Sequence, residues 1–357
     1  MKHNFYAGPA ILPQQVLQQA AEAARDFNDM GLSLLEISHR SKPVVELMEE
    51  AEQHTRDFLG LSDDWAVLFL TGGASSQFFM AAANLLAQDA MAAYVDTGTW
   101  STKAIKEAKH YGEVRELASS RDKNYSYIPK GYDIPAGATY LHLTSNNTIY
   151  GTQYQEWPDA KMPIVADMSS DIFSRPLPID RFGLIYAGAQ KNLGPAGTTL
   201  VIVRKDLLGR VQRELPTMLD YRTHIKKASA FNTPPVYPIY VCMLTMRWIK
   251  ENGGLQAMAD RADHKAGMLY GEIERNSLFK GTAATEDRSK MNVCFVPTEG
   301  NEGLSDDFLK LCADNNILGL KGHRSVGGFR ASIYNAMEPS SVEHLVKIMQ
   351  EFERTHG

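Results

Sequence analysis

Between Ala66 and Val203 six short apolar runs alternate with helical or irregular stretches: A-V-L-F-L, A-M-A-A-Y-V, A-T-Y-L-H-L-T, P-I-V-A-D, G-L-I-Y-A and T-T-L-V-I-V. Such alternation predicts a mostly parallel sheet with helices on both faces. One connection departs from it. About ten residues separate G-L-I-Y-A from T-T-L-V-I-V, and a parallel crossover needs a dozen or more. Those two strands are therefore expected to be antiparallel neighbours in a mixed sheet.

Outside this region, Leu12–Phe27 reads as a helix with Pro13 in its first turn. A second helix runs from a Ser41 cap to Leu59, with Pro43 in its first turn and Gly60 just past its end. After residue 260 the texture changes. M-N-V-C-F-V-P is a strand, Ser305 opens a helix to about Asn316, and G-L-K-G-H-R and F-R-A-S-I are short strands. Ser340 and Glu343 have capping-box spacing for a last helix. The expected organisation is a large α/β domain over 13–260 and a smaller α+β C-terminal domain over 261–357, with residues 1–12 returning to the latter.

Net charge is −5 with no long run of either sign, which disfavours nucleic acid and anionic membranes as partners. Cys242, Cys294 and Cys312 are odd in number and widely spaced, and no Cys-x-x-Cys occurs. Buried thiols in a reducing compartment are expected, without a zinc site or a disulfide framework. The first residues, M-K-H-N-F-Y-A-G-P, lack the apolar core of a signal peptide, and no stretch reaches membrane-spanning length. The expected location is the cytoplasm.

Chemistry concentrates at the strand ends. G-L-I-Y-A-G-A-Q-K-N-L-G-P-A-G, Gly183 to Gly197, delivers Lys191 to the end of a strand and then turns sharply. Most lysines at such places are solvated. A rigidly held and partly buried one loses its proton more easily and can attack an aldehyde. Twenty-four residues earlier another apolar strand ends on Asp167. An acid and a lysine on two strand ends is the pair that pyridoxal phosphate needs: an amine for its aldehyde, and a carboxylate that keeps its ring nitrogen protonated. D-M-S-S-D also suits a plain turn. A third strand, Ala66–Leu70, runs into T-G-G-A-S-S-Q and then a helix. There free backbone N–H groups and the helix dipole would hold a phosphate. Neither a P-loop nor a dinucleotide fingerprint is present.

Two cationic clusters remain. Lys321–Arg330, K-G-H-R-S-V-G-G-F-R, holds four basic or imidazole side chains and no acid, and His39-Arg40 precedes the Ser41 helix. Together they suit a substrate with two or more anionic groups. Trp100 follows the strand A-M-A-A-Y-V-D, where a flat ring can stack on a cofactor.

S-H-R (Ser38–Arg40), T-G-G-A-S-S-Q-F, Y-A-G-A-Q-K-N-L-G-P-A-G, F-N-T-P-P (Phe231–Pro235) and K-G-H-R-S-V-G-G-F-R-A-S-I-Y-N-A together resemble the class V aminotransferases of the fold-type I group, along the whole chain. The resemblance implies pyridoxal phosphate as cofactor, Lys191 as its Schiff-base lysine, Asp167 at the ring nitrogen, Trp100 on the ring and Thr148 at the ring hydroxyl. It places the cofactor phosphate at Ala74, Ser75 and Gln190, with Asn232 and Thr233 of a neighbouring subunit, hence a homodimer with shared sites. Arg330 would take the substrate α-carboxylate; His39, Arg40, His323 and Arg324 would take a distal phosphate or carboxylate. The implied reaction is reversible transamination of O-phospho-L-serine with 2-oxoglutarate in serine biosynthesis, extending to 4-phosphooxy-L-threonine in pyridoxine biosynthesis. Ser75 stands where some relatives have an arginine, which removes one positive charge from the loop.

Overall fold

The computed structural model describes residues 2–357. The first elements are β1 (His3–Asn4), α1 (Gln14–Arg25), α2 (Lys42–Leu59), β2 (Trp65–Leu70), α3 (Gly73–Leu85), β3 (Met91–Asp96), α4 (Thr99–Ala108) and β4 (Glu113–Ser119). There follow β5 (Ala138–Thr144), β6 (Asn146–Asn147), β7 (Thr152–Gln153), β8 (Ile164–Asp167), β9 (Phe182–Gly188), β10 (Thr199–Arg204), α5 (Tyr221–Lys226) and α6 (Val236–Glu251). The last are α7 (Gly254–Arg275), β11 (Phe279–Gly281), β12 (Asn292–Pro297), α8 (Ser305–Asp314), β13 (Ile317–Leu318), β14 (Phe329–Ser332) and α9 (Pro339–His356).

Seven strands form one sheet in the order β2-β10-β9-β8-β5-β3-β4. β10 is antiparallel to both neighbours, as its short connection from β9 requires. The pairs from β9 out to β4 are parallel. Side chains of β10 alternate between two cores, as the period of a strand dictates. Leu200 and Ile202 face α1, α2 and α6; Val201 and Val203 face α3 and α4. The edge strand β4, E-V-R-E-L-A-S, was not among the six expected runs. None of its residues is buried and charged side chains interrupt it, as suits an edge that must resist pairing with another chain, so no apolar run marks it.

A further core gathers around β11-β12-β14 and helices α7, α8 and α9. Its centre is aromatic: Phe279 meets Phe308 at 4.7 Å and Phe329 edge-on at 5.7 Å. β1 pairs in parallel with β13, and Phe5 enters the same core. No helix among the described residues is long and apolar enough to cross a membrane.

Several local expectations need correction. α9 starts at Pro339 with Glu338 at the cap position, and no side chain caps it, so Ser340 and Glu343 form no capping box. Proline needs no partner for a missing N–H and takes the first helical position. Ser41 holds the cap position of α2, yet its hydroxyl donates to the Ser38 carbonyl at 2.7 Å instead of accepting from the helix. α1 is shorter than expected at both ends, and α8 stops at Asp314. G-L-K-G-H-R is a loop apart from a bridge between Lys321 and Phe329; the strand lies just before it, in β13.

Candidate active site

β2, β3, β5, β8 and β9 all point their C-terminal ends to one edge of the sheet. In open α/β sheets this edge is where ligands bind. β9 ends at Gly188, and Lys191 sits three residues on, in a turn closed by Gly194 N–H donating to Ala189 O at 2.8 Å. The lysine is thus carried by a tight turn rather than by the strand itself. Its Nζ donates to Thr148 Oγ1 at 2.7 Å and stands 5.0 Å from the centre of the Trp100 ring. Burial pushes the Lys191 ammonium down to about 8; Asp167 opposes this and Arg330 adds to it. An amine in that range is partly neutral at physiological pH, as nucleophilic attack demands.

Asp167 ends β8 and is buried. The Ser169 N–H and hydroxyl both donate to its Oδ1, at 3.0 and 2.6 Å, while Oδ2 has no partner among the described residues. Burial raises its pKa, against Lys191 and Ser169, which favour the carboxylate. Trp100 lies in the first turn of α4, after the strand end where it was expected. The loop of the basic cluster leans toward it: Val326 and Trp100 pack against Tyr125, Ile149 and Tyr150.

The phosphate cradle follows β2. Gly72 caps α3 at φ +97°, and a Cβ there would meet Ser76 Oγ at 2.0 Å. Ala74 and Ser75 lie in the first turn of α3, where backbone N–H groups have no helical acceptor. Gln190, beside Lys191, is half-buried, and its carbonyl accepts from Ala10 N–H at 3.0 Å. Arg330 on β14 reaches the site from the other core, donating from Nη1 to Thr148 O at 3.2 Å. His323 is half-buried and its pKa is lowered by burial and by Arg330 and Arg324. Arg324 is exposed.

His39, Arg40, Asn232 and Thr233 stand apart. Among the described residues no hydrogen bond or ion pair joins them to Lys191, Arg330 or the Gly72 turn. Arg40, Asn232 and Thr233 are exposed.

Two contributors escaped the sequence reading. Ser169 anchors Asp167 and also accepts from Gly188 N–H at 3.1 Å, tying β8 to β9; the Asp-x-Ser spacing of a side-chain turn was the available signal. Gly8 packs on Lys191, where an added Cβ would stand 3.2 Å from Cγ. That contact spans about half of the sequence and leaves no local trace.

A partly neutral amine, a buried carboxylate with one free oxygen, an open helix N-terminus and a guanidinium therefore share one edge. This donor set fits pyridoxal phosphate. Among the described residues no group of three or more His, Cys, Asp or Glu side chains is placed to hold a metal ion.

Comparison with known proteins agrees with this chemistry. The family model of class V aminotransferases matches residues 2–345. A phosphoserine aminotransferase of Parabacteroides distasonis is 57% identical over 355 residues, covering 99% of each chain. The solved phosphoserine aminotransferase from Bacillus circulans subsp. alkalophilus superposes with a TM-score of 0.96 at 44% identity, covering 100% of this chain and 99% of that one. The pyridoxal-phosphate-bound enzyme from Trichomonas vaginalis superposes at 0.93 with 37% identity, covering 98% and 100%.

Proposed function

The chain belongs to the class V aminotransferase family, and from that premise we propose that it transfers the amino group between O-phospho-L-serine and 2-oxoglutarate, giving 3-phosphooxypyruvate and L-glutamate. The observation that carries this reading is the meeting of Lys191, Thr148 and Arg330, drawn from two separate cores. Pyridoxal phosphate, when bound, supplies an aldehyde that amines condense with and a ring that takes up electrons.

This chain's residues would do the rest. Lys191 Nζ would hold the aldehyde and, as a free amine, would take a proton from the substrate Cα as general base and return it as general acid. Asp167 Oδ2 would keep the ring nitrogen protonated, Trp100 would stack on the ring, and Thr148 Oγ1 would bond the ring hydroxyl. The first turn of α3 at Ala74 and Ser75, with Gln190, holds the phosphate. Arg330 binds the α-carboxylate by a fork that matches it. His323 and Arg324, with His39 and Arg40, take the distal phosphate or carboxylate.

The last two, with Asn232 and Thr233, would come from a second copy. Exposed apolar side chains flank both segments: Leu32 and Leu35 beside His39-Arg40, and Phe231 beside Asn232. A second copy seated on these segments would cover those side chains. A homodimer with shared sites is therefore part of the proposal, and sedimentation showing a stable monomer in loaded, active enzyme would remove it. The reading also includes a division into domains at about residue 260, a cytoplasmic setting, and a secondary role on 4-phosphooxy-L-threonine.

The test is a spectrophotometric titration of the cofactor-loaded protein with O-phosphoserine and, in parallel, with serine. Phosphoserine should bleach the yellow band at far lower concentration. Equal potency of serine would remove the distal anion site, and full turnover by Lys191→Ala would remove the lysine chemistry.

A further inference from the structure

Lys191 and Arg330 meet at the front of the site, on Thr148. They are also joined behind it. The residue after the lysine, Asn192, is buried, and so is Asn335, five residues past Arg330. Asn335 N–H donates to Asn192 Oδ1 at 2.9 Å. Asn192 Nδ2 donates to Ile172 O at 2.6 Å, and Asn335 Nδ2 to Phe173 O at 2.8 Å. Both carbonyls belong to the turn that follows Asp167. A closed circuit results: Lys191 to Thr148, Thr148 to Arg330, along β14 to Asn335, and back through Asn192 to Lys191.

We propose that Asn192 and Asn335 are positioning residues that set the distance between the lysine amine and the guanidinium holding the substrate carboxylate. The proposal rests on the roles given above to Lys191 and Arg330. The chemistry of the amide explains the residue type. Asn192 must accept from one backbone N–H and donate to one backbone carbonyl at once, which neither alanine nor aspartate does. The segment carrying Asn335 is held rigidly from its other side. Lys265 Nζ donates to Tyr334 O at 2.6 Å and Met337 O at 3.1 Å, and the Tyr334 hydroxyl donates to Ala7 O at 2.7 Å. A rigid segment tied to the lysine's own neighbour transmits its position; a loose one would not.

The test compares Asn192→Ala and Asn335→Ala with the parent as holoenzymes, and then as apoproteins. Asn192→Ala cuts the tie itself, and Asn335→Ala frees its segment from the turn after Asp167; in either, Arg330 still binds the carboxylate, but the reacting atoms no longer align. We expect kcat to fall about ten-fold or more while KM stays within about three-fold, since misplacement near 1 Å costs up to about a hundred-fold. In the apoproteins, Lys191 is labelled by formaldehyde with borohydride reduction across a pH series and mapped by peptide mass. Water admitted by the loosened turn should move the labelling midpoint up by about half a pH unit or more. A clip that merely fastens two cores would lower the melting temperature and leave both readouts at parent values; that result overturns the proposal. If Asn192→Ala does not fold, Asn335→Ala decides: it keeps the backbone bond to Asn192 but releases the segment from Phe173 O, and should move both readouts in the same directions by a smaller amount. A parent without transaminase activity would instead refute the function reading.

Discussion

Replacing Gly72 by alanine should weaken the hold on the cofactor phosphate, whereas the same change at Gly60 should not. Both glycines cap helices at positive φ, +97° and +62°. A left-handed non-glycine residue costs about 1–2 kcal/mol, so that part is common to the two variants. The space around them differs. Nothing lies within 4 Å of a Cβ built on Gly60, while one on Gly72 meets Ser76 Oγ at 2.0 Å and Ser76 Cβ at 2.8 Å. Rotating Ser76 relieves the first contact and breaks its 3.1 Å bond to Gly72 O, a loss of about 0.5–1.5 kcal/mol. The second contact is fixed by the helix backbone, so the first turn of α3 itself must shift. We expect about 2–4 kcal/mol for Gly72→Ala. At roughly 2.1 cal/mol/K per residue this lowers the apoprotein melting temperature by about 3–5 °C. The shifted turn also loses an N–H aimed at the anion, raising the Kd for pyridoxal phosphate by about 10–100-fold. Thermal melts and an absorbance titration measure both. Gly72→Ala matching Gly60→Ala in both would refute the cradle assignment.

Two other predictions follow from buried titrating groups. Burial holds Lys191 at about 8 and Lys265 at about 7, against 10.5 for free lysine. Above those values the folded apoprotein binds fewer protons than the unfolded chain, so its stability rises with pH from about 7 toward 10.5; urea midpoints should climb between pH 6 and 9, and Lys265→Met should flatten the lower part of the climb. A flat parent profile would show that neither ammonium is desolvated. The thiols Cys242, Cys294 and Cys312 are all buried and free, with burial pushing Cys294 and Cys312 up to about 12 and Cys242 up as well. A disulfide reagent should find them silent in the native protein and titrate three after denaturation; one rapid native thiol would contradict the packing.

The strand ends were legible because buried strands are continuous apolar runs and their ends are marked by glycine, acid or lysine. Asp167, Lys191 and the Gly72 turn could each be found that way. Where polarity serves another purpose, the pattern fails. β4 hides as a polar edge, and Ser340 with Glu343 matched a capping motif that Pro339 displaced by starting α9 early. His39, Arg40, Asn232 and Thr233 were readable as motifs, but no hydrogen bond or ion pair among the described residues joins them to the rest of the site.

The sequence by itself determined six of the seven strands of the main sheet, that β10 turns back beside β9, and which side chains follow the strand ends. These follow from local rules of period, connection length and turn chemistry. Only the tertiary structure decided which ends adjoin and what that does to their chemistry. Thr148 lies 43 residues from Lys191 and 182 from Arg330, yet bonds both. The lysine's low pKa arises from burial beneath segments as distant as Gly8. Desolvation depends on everything that excludes water from one atom, and no window of sequence contains those neighbours.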